Sequence, residues 1–219
     1  MAFERHWQPD PVFAAFAGPP GYRLEQASAD DVPAIIDGLR AWFPEIQAGA
    51  ESVHFEPEFY AREVFLRGGD PARANLVLTA RAEGSDALAA VLTLSCDARS
   101  RSLSGRLGAV APEHRSHMLG FLGVRLLEAF GRHMHADLLT YTATMKTRHQ
   151  QVIAERFGFT PVGIMPATDL TLTDAGAIVR TYEVLYAKVL SANVQRPSTD
   201  AMTAKTRALY MHIFGGSEA

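Results

Sequence analysis

Between Gly108 and Gly123 the chain reads GAVAPEHRSHMLGFLG. An apolar run through Val110 meets Pro112, a polar turn follows over Glu113-His114-Arg115-Ser116, and a helical pattern begins. Proline has no N–H to donate, so ordinary ladder pairing stops at Pro112. A helix opening after Arg115 would leave free the N–H groups of Ser116, His117, Met118, Leu119 and Gly120, with the positive end of its dipole behind them. Gly120 would let that backbone come close to a phosphate, and Arg115 would add charge. If the strand is splayed from its neighbour near Val110, its edge groups are open to an amide-bearing ligand. Coenzyme A, with amides at one end and a pyrophosphate at the other, would match both halves. An ordinary strand-to-helix turn accounts for the same residues.

Other chemistry-bearing patterns are sparse. His114 and His117 stand three apart, and His133 and His135 two apart. At 1.5 Å per helical residue the two pairs are roughly 25 Å apart, too far to share an ion, and zinc wants three or four converging ligands. The chain has one cysteine, Cys96, so no intrachain disulfide is expected, which suits a reducing compartment. There is no GxxxxGK[ST], GxSxG or HExxH. No metal is expected.

The elements that must position the turn follow from periodicity. Residues 1–20 read as an arm in which Val12, Phe13 and Phe16 form one apolar docking turn. Residues 21–190 read as one domain, and 191–219 as an extension ending in a helix through Phe214. Within the domain, Tyr22 to Ala27 alternates as a strand. Ser28 caps a helix carrying Val32, Ile35, Ile36, Leu39 and Trp42-Phe43, which Pro44 closes. After an irregular stretch, Glu56 and Pro57 open a second helix through about Arg67. Strands follow at Asn75–Ala80, Ala87–Cys96 and about Ser102–Val110, joined by short polar turns as an antiparallel meander. His114 to about His135 is the longest helical pattern. Leu138–Met145 is a strand, Thr147–Phe157 a helix stopped by Gly158, and Thr160–Met165 and Ile178–Leu190 the last strands. The result is an α+β fold, with a mixed, mostly antiparallel sheet of about seven strands flanked by helices.

Bulk properties agree with a folded, globular protein: 219 residues, 47% hydrophobic and 21% charged, with a formal net charge of −3. No Lys/Arg cluster points to nucleic acid. The start carries early acids and prolines instead of a basic, apolar leader, and no apolar run approaches the ~20 residues of a membrane span. The expected address is the cytoplasm, with no membrane partner.

VAPEHRSHMLG resembles the acetyl-CoA-binding signature of the GNAT (GCN5-related N-acetyltransferase) superfamily, in which a strand ending V-x-P-x-x-R leads through a Q/R-x-x-G-x-G/A loop into a long helix. Val110, Pro112, Arg115 and Gly120 stand in register, and Met118 stands where the loop's first glycine is usual. Glu155-Arg156-Phe157-Gly158-Phe159 is similar to the family's Y-E-K-x-G-F segment. The two elements span residues 22–190 in the family's order. The resemblance implies the GNAT fold, acetyl-CoA or another acyl-CoA as cosubstrate, and direct acyl transfer to a small-molecule amine or a peptide. It places the cosubstrate on Val110, Arg115, Ser116, His117, Met118, Leu119, Gly120 and Thr147. The tyrosine that often serves as acid is Ala154 here, and the usual asparagine is Thr147. Tyr141 is a substitute acid; Glu45, Glu51, His54 and Glu56, between the first two helices, are candidate bases. Arg106 could hold an acidic acceptor or simply be salt-bridged within the sheet. A catalytically inactive CoA-binding or sensory module, and a homodimer exchanging the C-terminal extension, are compatible with the same residues.

Overall fold

The computed structural model describes residues 2–115 and 119–215. Among them eight strands form one sheet: β1 (Tyr22–Gln26), β2 (Val64–Phe65), β3 (Asn75–Ala82), β4 (Leu88–Asp97), β5 (Ser102–Val110), β6 (Leu138–Thr144), β7 (Thr160–Leu172) and β8 (Ile178–Val189). Their order is β1-β3-β4-β5-β6-β8-β7, with β2 beside β3. All neighbours are antiparallel except β5 with β6 and β2 with β3. The expected α+β class and mostly antiparallel sheet are therefore present.

Helices cover both faces: α1 (Pro9–Ala15), α2 (Val32–Trp42), α3 (Pro57–Glu63), α4 (Leu122–His133), α5 (His149–Arg156) and, beyond the sheet, α6 (Ala204–Phe214). On one face Ile35, Ile36 and Leu39 of α2 and Phe59 and Tyr60 of α3 pack on Val77, Val91 and Ala109. On the other, Leu126, Leu127 and Phe130 of α4 pack on Leu76, Leu78, Leu92 and Leu139. Each such side chain contributes about 1.5–3 kcal/mol by leaving water. Because β3 and β4 are covered on both sides, they are apolar almost throughout. The arm docks on α4: Trp7 and Phe13 present their edges to Phe130, with ring centroids 5.8 and 6.3 Å apart. The Trp7 indole N–H donates to the Arg73 carbonyl at 2.9 Å.

Several boundaries differ from expectation. The second helix ends at Glu63, since Val64 and Phe65 are buried and pair with Asn75 and Leu76 as β2. The longest helix does not open at His114. Pro112–His114 is a separate 3-10 turn, and Leu119–Phe121 is another that leads into α4 at Leu122. Gly120 and Gly123 weaken helix propensity at this start. α5 ends as expected at Gly158, whose φ of 73° is left-handed. Gly158 N–H donates to the Glu155 carbonyl and Phe159 N–H to the Ala154 carbonyl, both at 3.0 Å, the paired bonds of a Schellman motif.

Three irregularities shape the middle of the sheet. First, β5 and β6 pair only from Ser102 with Leu138 to Gly105 with Tyr141, and then part. Second, the β4–β5 register passes from Leu94–Gly105 to Thr93–Leu107, so Arg106 is an extra residue, a bulge that increases local twist. Strict alternation of Ser104, Arg106 and Gly108 on one face therefore does not hold across it. Third, β7 does not stop at Met165. It bulges between Met165 and Asp169, with Ala167 at φ 55°, and continues to Leu172. The irregular stretch after α2 forms two 3-10 turns, Pro44–Ala48, which lies against β7, and Ala50–Phe55. Gly49 joins them, and a Cβ there would lie 2.5 Å from both Asp169 Oδ1 and the Leu170 carbonyl oxygen. Only glycine allows that approach.

Candidate active site

The site follows from the parting of β5 and β6. Ala111 N–H donates to the Ala89 carbonyl of the β4 side. In an antiparallel ladder successive residues point to opposite sides, so the N–H and C=O groups of Gly108 and Val110 face the gap. A narrow cavity of about 40 Å³ lies beside them, lined by Leu92, Leu107, Gly108, Val110, Leu119, Gly120, Gly123, Tyr141 and Gln150, among others. A Cβ on Gly123 would stand 3.3 Å from the Leu92 side chain, and one on Gly108 3.6 Å from it. Glycine at 108 and 123 thus keeps open a slot whose Gly108 and Val110 N–H groups have no partner among the described residues, the donor set an extended chain with amides requires.

A larger cavity of about 200 Å³ adjoins it and shares Leu107, Gly108, Tyr141 and Gln150. It is walled by Phe43, Glu45, Ile46 and Glu51 from the 3-10 region, Arg106 from the bulge, and Asp169, Leu170, Thr171, Thr181 and Glu183 from the β7–β8 hairpin. A further opening on the same cleft repeats Glu51, Arg106, Tyr141, Asp169 and Glu183.

Tyr141 stands where these spaces meet. Its hydroxyl donates to Gln150 Oε1. Burial, followed by Tyr186 nearby, pushes its phenol well above the ordinary range, so it stays protonated and serves as a donor.

The charged groups divide into paired and unpaired. Arg106 Nε and Nη2 both donate to Glu51 Oε1 at 3.3 Å, Nη1 donates to Asn75 Oδ1 at 3.1 Å, and the guanidinium lies 5.7 Å from the Phe59 ring centre. Arg106 is therefore the salt-bridged sheet arginine. Lys146 Nζ donates to Thr171 Oγ1 at 2.6 Å. Asp169 Oδ1 accepts from Ala50 N–H at 2.9 Å, which ties the 3-10 region to the hairpin. Among the described residues, neither Asp169 nor Glu183 joins an ion pair. Burial raises the Glu51 carboxyl, with Arg106 opposing and Asp169 adding. Burial raises Glu183 too, with Asp169 and Glu51 adding.

Of the sequence candidates, Tyr141, Glu45 and Glu51 line the cleft. His54 does not. It is 0% exposed, its Nδ1 donates to the Glu51 carbonyl at 3.0 Å, and its Nε2 accepts from Thr93 Oγ1 at 2.9 Å. The carbonyl can only accept, which fixes this tautomer. Burial depresses its pKa to about 4, so it is neutral at pH 7 and its 3.2 Å approach to Glu51 Oε2 is no ion pair. Glu56 is exposed, at the N-cap of α3.

Val110, Leu119 and Gly120 line the narrow cavity. A Cβ on Gly120 would also come 3.1 Å from His149 Nε2, so this glycine lets the start of α4 reach α5. Arg115 is held by two backbone carbonyls. Its Nε donates to the Val110 carbonyl and its Nη2 to the Trp42 carbonyl, each at 3.1 Å, with the guanidinium 4.9 Å from the Phe43 ring centre. The negative end of α2 attracts this cation and makes it a tether. Thr147 is exposed beyond β6, with its carbonyl accepting from Gln151 Nε2 at 3.2 Å. Ala154 is wholly buried in α5. Ser116, His117 and Met118 lie outside the described residues. Sequence reasoning missed Gly105, Gln150, Lys146, Asp169 and Glu183. A signal existed only for Glu183, a carboxylate within the alternating strand Val179 to Leu185.

No protein-family profile matches the chain, and no curated protein does. Solved structures do match its fold. One, assigned to the GNAT acetyltransferases and from Desulfovibrio desulfuricans, has a TM-score of 0.59 and 13% identity, over 78% of this chain and 99% of its own. The ribosomal-protein-S18-alanine N-acetyltransferase of Escherichia coli gives 0.58 and 14%, over 81% and 99%. A ribosomal L7/L12 alpha-N-protein acetyltransferase in complex with coenzyme A gives 0.57 and 13%, over 80% and 97%. The chain has the GNAT fold. Among the described residues no helix is long and apolar enough to cross a membrane.

Proposed function

We propose that the protein is an acyl-CoA-dependent N-acyltransferase that moves an acyl group, acetyl in the first instance, to a primary amine in a ternary complex. The observation that carries this reading is Tyr141, placed at the parting of β5 and β6 where a slot of free backbone donors meets an acceptor cleft. The fold of GNAT acetyltransferases supports it.

In this reading Gly108 and Val110 hold the amides of the cosubstrate arm through their gap-facing backbone groups. A gap-facing N–H polarises the thioester carbonyl, and the cleft brings the amine into line, which lowers the barrier by proximity. A C–N bond forms and the C–S bond breaks, the sulfur leaving with the bonding electrons. The Tyr141 phenol is a poor net acid toward a thiolate, because its raised pKa exceeds that of a thiol. Its one O–H, which bonds Gln150 Oε1, turns from that oxygen to the leaving sulfur and acts there as a hydrogen-bond donor. The amine's proton passes through water to the raised carboxylates of the cleft, Glu51 and Glu183, and on to solvent and the thiolate.

A second reading, a CoA-binding module without turnover, draws on Ala154, which takes the place of the familiar acid and is wholly buried. Thiol release from acetyl-CoA across a panel of primary amines decides between them. Turnover with any acceptor at an enzyme-like rate supports the transferase. Binding of coenzyme A with no release from any amine supports the module.

A further inference from the structure

We propose that Arg115 is a positioning residue that couples the cosubstrate slot to the wall of the acceptor cleft, so that a cosubstrate arm seated on Val110 fixes the end of α2 through this one guanidinium. This rests on the transferase reading above and adds to it how the two spaces are joined.

The guanidinium gathers two backbone carbonyls that lose their usual partners for different reasons. Gly105 is the last rung of β5 with β6, and Val110 ends β5 five residues on, so its gap-facing carbonyl has no strand to pair with. Trp42 is the last residue of α2, and the final carbonyls of a helix have no partner inside it. Arg115 Nε donates to the first carbonyl and Nη2 to the second, each at 3.1 Å. The 3-10 turn Pro112–His114 aims the side chain. His114 N–H donates to the Ala111 carbonyl at 2.9 Å, which folds the chain so that Arg115 lies back against Val110.

Each end of this contact belongs to a different space. Val110 lines the narrow cavity. Phe43, whose ring centre lies 4.9 Å from the guanidinium, walls the larger cleft and leads into the 3-10 turn that brings Glu45 and Ile46 to it. Trp42 folds back on its own helix, where a Cβ on Gly38 would lie 3.1 Å from its ring. Holding two carbonyls and an aromatic face at once takes a planar, two-pronged donor. Lysine carries the charge but not the fork. Arg115 is itself exposed, where such bonds largely replace bonds to water and add little to global stability. What it contributes is the connection: a cosubstrate arm that fixes Val110 fixes Arg115, and through it the end of α2.

The test is acrylamide quenching of tryptophan fluorescence in the full chain, with and without saturating coenzyme A, alongside calorimetric titration of coenzyme A. The chain has two tryptophans; Trp7 is 3% exposed and Trp42 half-buried, so quenching reads Trp42. Coenzyme A is expected to lower the quenching constant at least twofold in the unmodified protein. Arg115→Gln and Arg115→Lys are both expected to bind coenzyme A within fivefold of the unmodified affinity and to lose that response, with folding checked by thermal melting. A tenfold or greater loss of affinity in Arg115→Gln that Arg115→Lys restores would make Arg115 a phosphate ligand and overturn the proposal. A response that persists in both variants also overturns it. Coenzyme A binding with no response in the unmodified protein overturns it and leaves the transferase reading standing. No binding of coenzyme A sinks the transferase reading, and this proposal falls with it.

Discussion

Gly105 and Tyr141 face each other across the last rung of the β5–β6 ladder, and a Cβ on Gly105 would lie only 3.2 Å from Tyr141 Cδ2. The missing side chain at 105 lets the ring sit at the point where the strands part. Gly105→Val is therefore expected to displace the ring and to lower kcat more than it weakens coenzyme A binding. Tyr141→Phe keeps the ring and removes only the donor, so kcat should fall by about 10- to 100-fold, the scale of one transition-state donor. Steady-state rates with acetyl-CoA, compared with calorimetric affinity for coenzyme A, check both. Equal losses of rate and affinity would assign the pair to cosubstrate binding instead.

His54 makes an independent prediction about stability. Its folded pKa is about 4 against 6.5 when unfolded, because burial penalises the charged ring. Between those values the unfolded chain binds a proton that the folded one refuses. Stability from this group is complete above pH 6.5 and is lost as pH falls toward 4, by about 3 kcal/mol. Urea unfolding at a series of pH values measures it. His54→Asn should be less stable at pH 7, yet should lose less between pH 6.5 and 4 than the unmodified chain.

Glu183 carries the opposite sign. Its carboxyl is raised by burial and by Asp169 and Glu51, so its ionised form is a cost to the fold above the folded pKa, relieved as pH falls through it. Glu183→Gln should raise the melting temperature at pH 7 while lowering the transfer rate, a trade of stability for function. At pH 3, where the carboxyl is neutral in both states, the stability difference should vanish. A lower melting temperature at pH 7 would mean that Glu183 is already neutralised within the fold.

Gly49 tests whether the 3-10 region and the hairpin act as one wall. Adding a methyl group there drives it against the Leu170 carbonyl and the Asp169 carboxylate. Gly49→Ala is expected to destabilise by about 1–3 kcal/mol, the usual cost of overpacking. It should also raise KM for the amine while leaving coenzyme A affinity within twofold. Unchanged amine KM would place the acceptor elsewhere.

The sheet and its flanking helices were legible because their signals are local. The apolar run in Asn75–Ala80, the apolar stripe of α2 and the glycine after α5 each belong to one segment. The phosphate half of the signature was legible only as spelling. Arg115 kept its place in V-x-P-x-x-R, but its direction is set by the C-terminus of α2, 73 residues away in sequence. The acceptor side was illegible for a related reason. Asp169 enters the cleft through a three-residue bulge and a contact with Ala50, and neither has a periodic signature. His54 looked like a base because histidine titrates near neutrality. Only the sheet pressed over it shows that it is a buried neutral donor.

Thiol release from acetyl-CoA in the presence of a panel of primary amines tests the central claim most directly. The account predicts continuous turnover with at least one of them, at a rate on the order of 1 s⁻¹ or faster, one acylated amine formed per thiol, and a marked loss in Tyr141→Phe. Release no faster than in the absence of protein, with every amine of the panel, would contradict it.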